Sequence, residues 1–150
     1  MLKEDYLNDE FFMKQALQEA MKAWDKDEVP VGAVVVAGQS VIARAHNLTE
    51  TLNDVTAHAE MQVITAATHH LGSKYLDECI LYVTLEPCTM CAGAIFWAQV
   101  GKLVYGAPDP RRGFQTLQVP VLHPRTEVLG GILSHEAESL LKDFFKRKRT

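Results

Sequence analysis

Residues 79–99 read CILYVTLEPCTMCAGAIFWAQ. The first seven, Cys79–Leu85, are rich in β-branched and aromatic side chains and predict a strand. Pro87 follows after Glu86, where its fixed φ suits the first position of a helix, and the apolar run to Gln99 continues that helix. The next run, KLVYGA (102–107), predicts a second strand. Two strands joined through a helix are expected to run parallel, with the helix covering one face of their sheet.

Outward from this unit the elements alternate in type. Upstream, VGAVVVA (31–37) and SVIARA (40–45) are β-branched runs separated by Gly38-Gln39, the pattern of an antiparallel hairpin. Met13, Ala16, Leu17, Ala20, Ala23 and Trp24 follow helical spacing, and that helix is expected to close near Lys26, before Val29-Pro30. His58 to about Leu71 predicts another helix, stopped by Gly72. Downstream, a Pro-rich loop from Pro108 to Pro124 leads to TEVLGGIL (126–133), which predicts a last short strand. Ala137, Leu140, Leu141, Phe144 and Phe145 then mark one face of a closing amphipathic helix. The order predicts an α/β fold with a mixed central sheet and helices on its faces.

No repeat or linker divides the 150 residues, so one domain over 1–150 is expected. With 47% apolar and 23% charged residues, the composition excludes a disordered or collagen-like chain. The longest apolar run, Val31–Ala37, is far short of the roughly 20 residues that span a bilayer, so no membrane association is expected. The opening MLKEDYLNDEFF has acids where a secretory signal needs a basic flank and an apolar stretch, so the expected location is cytoplasmic. Three cysteines are too few for a disulfide scaffold and fit metal binding or redox chemistry better. The net charge of −4 divides unevenly: residues 1–141 carry −8, and 142–150 carry +4. An acidic body excludes broad affinity for nucleic acid and confines such contact to a local patch.

His58, Cys88 and Cys91 stand at metal-ligand spacing, each in the first turn of an expected helix. Residues i and i+2 on a regular helix face opposite sides, so His58 and Glu60 can share a site only if it lies beyond the helix N-terminus. Cys88 and Cys91, at i and i+3, are neighbours. Two helix N-termini would then aim at one point, where their dipoles favour thiolates. Two thiolates and an imidazole suit Zn²⁺, one per chain, and three protein ligands leave a fourth position for water. Glu60 is then the carboxylate placed to move protons. The blander alternatives explain less. A thioredoxin-like CxxC pair leaves His58 and Glu60 without a role. An iron–sulfur cluster needs four cysteines, and a closed structural zinc site needs a fourth ligand, for which Cys79 or a stray histidine is the choice.

HAE (58–60) with PCTMC (87–91) resembles the signature of the zinc-dependent nucleobase deaminases. EVPVGAVVV (28–36), His46-Asn47, DVTAHAE (54–60), LYVTLEPCTMCAGAI (81–95), VYGAPD (104–109), GIL (131–133) and LLKDFF (140–145) together resemble the bacterial tRNA adenosine deaminases over nearly the whole chain. That resemblance implies a cytidine-deaminase-like three-layer α/β/α sandwich with about five strands. It also implies hydrolytic deamination of adenosine to inosine at the wobble position of a tRNA anticodon stem-loop, in a homodimer. Zinc would sit on His58, Cys88 and Cys91, while Glu60 carries protons between water, the purine ring nitrogen and the departing ammonia. Asn47 would bond the base edge, and backbone groups of Ala59 and Glu86 would complete the pocket.

Val55 and Ala137 depart from the usual family residues, and the loop after Tyr105 is shorter than in many members. IFWA (95–98) also resembles the bacterial guanine deaminases, so a free nucleobase or nucleoside is the competing substrate. A zinc-stabilised RNA-binding module is the non-enzymatic alternative, which leaves Glu60 unused. For an RNA substrate, Phe145 at the rim would stack a base while Phe144, about 100° round the helix, faces the core, and Lys146–Arg149 would meet phosphates. Two core phenylalanines with a solvated basic end are the simpler reading of that tail. The helix Cys88–Gln99 carries Met90, Ile95, Phe96 and Trp97, more apolar surface than one sheet face is expected to bury.

Overall fold

The computed structural model describes residues 2–149, with side chains from residue 8 onward. Its core is one five-stranded sheet, β1 (Gly32–Ala37), β2 (Ser40–His46), β3 (Cys79–Leu85), β4 (Lys102–Ala107) and β5 (Glu127–Leu129), in the order β2-β1-β3-β4-β5. The β1–β2 hairpin turns through Gly38, whose φ of 63° suits glycine. β3 and β4 pair parallel across their helix as expected, and β5 joins parallel to β4. β3 lies antiparallel beside β1, so the β-α-β crossover from β2 passes over β1 before returning.

Four helices cover the sheet: α1 (Leu2–Asp25), α2 (Ala59–Leu71), α3 (Thr89–Ala98) and α4 (Ser134–Arg149). Strand alternation divides the core in two. Val35, Leu81, Val83 and Leu103 point to the face covered by Val63 of α2 and Ile95 of α3. Val34, Tyr82 and Val104 point to the opposite face, against Phe12, Met13 and Ala16 of α1. α4 shares the α1 side, where Phe144 meets Trp24 edge-on at 5.8 Å. These are the three layers of the expected α/β/α sandwich. α1 rides so close to β1 that a Cβ on Gly32 would lie 2.1 Å from the Ala16 carbonyl oxygen, which explains both the glycine and the small residues facing it.

Several boundaries differ from the sequence reading. α1 begins ten residues or more before Met13, although its buried stripe through Ala16, Ala20 and Ala23 is the expected one. α3 begins at Thr89, with Cys88 as its extended N-cap, so Pro87 lies outside the helix and not in its first position. The last strand is only Glu127–Leu129, because Gly131 turns at φ 90° and Ile132 drops into the core. Within the 108–124 loop, Phe114–Leu117 forms a short 3-10 turn. Gly72 stops α2 in the left-handed conformation as expected. No helix among the described residues is long and apolar enough to cross a membrane.

Candidate functional site

The N-termini of α2 and α3 come together beyond the C-terminal end of β3. Their caps are His58 and Cys88, both in extended backbone, and neither side chain caps its own helix. Those side chains are thereby free to turn outward. The first-turn N–H groups, which have no partner inside a helix, keep the space between them positive.

The His58 Nδ1 atom lies 3.7 Å from Cys88 Sγ and 3.5 Å from Cys91 Sγ. All three donor atoms fall within 4.8 Å of one another, so this group could hold a metal ion. Its own protonation supports the fit. A hydrogen bond from Cys91 lowers the Cys88 thiol to about 4, and His58 reinforces the shift. The bond to Cys88, together with burial and the nearby Glu60, pushes Cys91 up, while the Cys88 sulfur raises His58. Cys88 is thus the thiolate and Cys91 keeps the proton between the two sulfur atoms, and a dication in that place would displace it.

Glu60 is 4% exposed. Burial pushes its carboxyl up to about 7, although its own backbone N–H and the His58 charge pull the other way. A carboxyl near neutrality both accepts and returns a proton.

The group opens onto a cleft of about 810 Å³, lined by Asn47, His58, Ala59, Glu60, Glu86 and Cys88 at its base. Asn47 is the buried hinge after β2: its Oδ1 accepts the Thr49 N–H at 3.2 Å and its Nδ2 donates to the Val29 carbonyl at 3.3 Å. An Asn side chain has four hydrogen-bonding positions, so two remain. Asn47 thus forms the turn after β2 and still has positions to offer the cleft. Arg111, Arg112, Lys142, Phe145 and Arg149 line the outer wall. Phe145 is 44% exposed there, and Phe144 beside it is 3% exposed. The basic tail is not uniform: Arg147 and Lys148 pair with Asp27, and Arg149 reaches the cleft. Thr150 lies outside the described residues.

Two buried carboxylates that shape the cleft's surroundings are absent as side chains from the sequence reading. Glu86 entered it only through its backbone, yet its carboxylate is buried and accepts the N–H groups of Asp109 and Gln115. Glu28, fully buried, accepts those of Glu50 and Thr51 and so anchors the loop that follows Asn47. The signal available was their charge within or beside apolar runs, since a carboxylate in such a place needs built partners.

Comparison with known proteins agrees with this geometry. Residues 7–149 match the family model of the MafB19-like deaminases. The tRNA-specific adenosine deaminase of Agrobacterium fabrum is 48% identical over 143 residues, covering 92% of this chain and 94% of that one. A solved structure from a study of A-to-I editing by tRNA:A34 deaminases at the wobble position of transfer RNA superposes with a TM-score of 0.81 at 47% identity. It covers 87% of this chain and 99% of its own. The guanine deaminase of Bacillus subtilis gives a TM-score of 0.63 at 42% identity, over 66% of this chain and 64% of that one. On the strength of that identity across nearly its whole length, the chain belongs to the tRNA-specific adenosine deaminases.

Proposed function

We propose that the protein hydrolyses the wobble adenosine of a tRNA anticodon loop to inosine and ammonia, as a single deaminase domain over residues 1–150 working in the cytoplasm. One zinc ion per chain would be held by His58, Cys88 and Cys91. The observation that carries this reading is the buried Glu60 two residues from His58, in a cleft also lined by Arg111, Arg112, Arg149 and Phe145, with Lys142 paired to Glu138. Zinc bound there would supply a water acidified toward neutrality as the nucleophile for purine C6.

The chain's own residues do the rest. Glu60 takes a proton from the attacking water and passes it to the ring nitrogen as C6 becomes tetrahedral. It then delivers the second proton to the departing amine, so that water is consumed and ammonia released. Asn47 holds the base edge with its unused amide positions, while the backbone of Ala59 and Glu86 borders the ring. Phe145 offers a stacking surface to a splayed neighbouring base, and Arg111, Arg112, Lys142 and Arg149 meet the phosphates on either side.

A second copy of the chain belongs to this reading. On α3, Trp97 is 76% exposed and Phe96 is half-buried against it at 5.2 Å. Gly93, one turn earlier, has open space around the position of a Cβ. A glycine inside a helix costs roughly 0.5–1 kcal/mol relative to Ala, and among the described residues nothing packs against this one to require it. A closely approaching partner helix would.

A free purine is the second substrate reading, favoured by the similarity to the guanine deaminase. Ammonia release from an anticodon stem-loop RNA, free adenosine, guanine and cytosine, compared side by side, separates the two.

A further inference from the structure

Glu86 is a buried carboxylate beside the site with no chemical task in the reaction above. It is 4% exposed and stands two residues before Cys88. Both its oxygens are taken by a segment more than twenty residues further on: Oε1 accepts the Asp109 N–H at 3.0 Å, and Oε2 accepts the Gln115 N–H at 3.0 Å. Hydrogen bonds to a charged acceptor are about twice as strong as neutral ones, and a buried carboxylate without them is costly.

The segment between those two amides is folded around this anchor. Asp109 Oδ1 accepts the N–H groups of Arg111 at 3.1 Å and Arg112 at 3.0 Å. The Gly113 N–H donates to the Asp109 carbonyl at 2.9 Å, and the Phe114 N–H donates to the Pro87 carbonyl at 2.9 Å. Gly113 also bridges to Cys88. A Cβ at Gly113 would stand 2.2 Å from Glu86 Oε2 and 2.6 Å from the Asp109 carbonyl oxygen, so the backbone wraps the carboxylate with no room for a side chain. The exposed Arg111 and Arg112 are carried on this fold and line the cleft.

We propose that Glu86 is a positioning residue: it moulds residues 109–115 into the cleft wall and so sets where Arg111 and Arg112 meet the phosphates of a looped RNA. The proposal rests on the tRNA reading above. It assigns to the Glu86 carboxylate an effect on RNA binding, while its backbone keeps its place beside the base.

Two variants disturb the device from opposite sides. Glu86→Gln keeps the size but presents an amide where two N–H groups need acceptors. Gly113→Ala keeps the carboxylate and forces the backbone away. Both are compared, zinc-loaded, with the parent and with the double variant Arg111→Ala/Arg112→Ala on an anticodon stem-loop. All three variants are expected to raise KM about tenfold with kcat within about twofold of the parent, the mark of lost uniform binding. All three should also flatten the salt dependence of binding. Amide hydrogen exchange should accelerate across residues 109–115 in Glu86→Gln and Gly113→Ala, with zinc content unchanged. An unchanged KM or unchanged exchange in both of these variants overturns the proposal, as does a fall in kcat that tracks loss of zinc. A parent that turns over no RNA refutes the functional reading instead, and the exchange comparison then still decides whether Glu86 holds the loop.

Discussion

The guanidinium carbon of Arg147 lies 4.3 Å from the centre of the Trp24 ring, and Arg147 and Lys148 both pair with Asp27 at the exit of α1. The end of α4 is thus latched to α1 by charge and by stacking on an indole face. Half of the four-residue basic run is engaged within the chain, while Arg149 lines the cleft on the other side of the helix.

This latch separates two effects that deletion of the whole tail would mix. Arg149→Ala is expected to weaken binding of an anticodon stem-loop severalfold and to reduce its salt slope by about one, with the melting temperature unchanged. Asp27→Ala is expected to lower the melting temperature slightly, as loss of an exposed ion pair does, without flattening the salt slope. Fluorescence anisotropy across a salt series and thermal unfolding check both.

Glu28 makes stability depend on acid. Burial alone would raise its carboxyl, but hydrogen bonds from Thr51, Glu50 and Thr49 outweigh that and hold it below its ordinary value of 4.5. A lowered folded pKa means that its contribution is complete above 4.5 and is lost as pH falls through the folded value. Denaturant unfolding of the parent should therefore weaken below pH 4.5 more steeply than that of Glu28→Gln. At pH 7, Glu28→Ala should cost about 1–3 kcal/mol, because two loop amides lose their acceptor. Parallel pH profiles for parent and Glu28→Gln would remove Glu28 from this role.

Trp97 tests the partner copy. Sedimentation at micromolar concentration should show a dimer for the parent and a monomer for Trp97→Glu, with zinc retained in both. A monomeric parent with full activity would refute the dimer.

What the sequence disclosed, and what it hid, follows from which bonds leave a trace in residue type. The strand at 79–85, the hairpin at Gly38 and the stop at Gly72 were legible because apolar alternation and left-handed glycines are local properties. The His58, Glu60, Cys88 and Cys91 group was legible because few side chains bind metals, and the structure brings the three donors together as their spacing indicated. The start of α3 was misplaced because the rule that favours proline in the first helical position competes with a cysteine held extended as N-cap, at φ −72° and ψ 174°. The long first half of α1 was hidden by adjacent phenylalanines, Phe11 exposed and Phe12 buried, which blur helical periodicity. Glu28 and Glu86 were missed because their partners are backbone N–H groups far along the chain, which almost every residue possesses.

Metal removal bears on the three ligands. Chelation should abolish turnover and zinc should restore it, and His58→Ala should lower zinc content well below one per chain. Full activity in chelator, with no metal detected, would contradict the assignment of His58, Cys88 and Cys91.

The proposed role of the buried Glu60 is to move protons at a metal-binding site that receives a nucleotide from RNA. Its most direct measurement is ammonia release by the parent and by Glu60→Ala, both with zinc content determined, on an anticodon stem-loop carrying a wobble adenosine beside free adenosine, guanine and cytosine. The parent is expected to turn over the stem-loop with little or no activity on the free compounds, and Glu60→Ala to lose about 10²–10⁴-fold with its zinc intact. Near-parental activity in Glu60→Ala, or rapid turnover of guanine with none on the RNA, would contradict it.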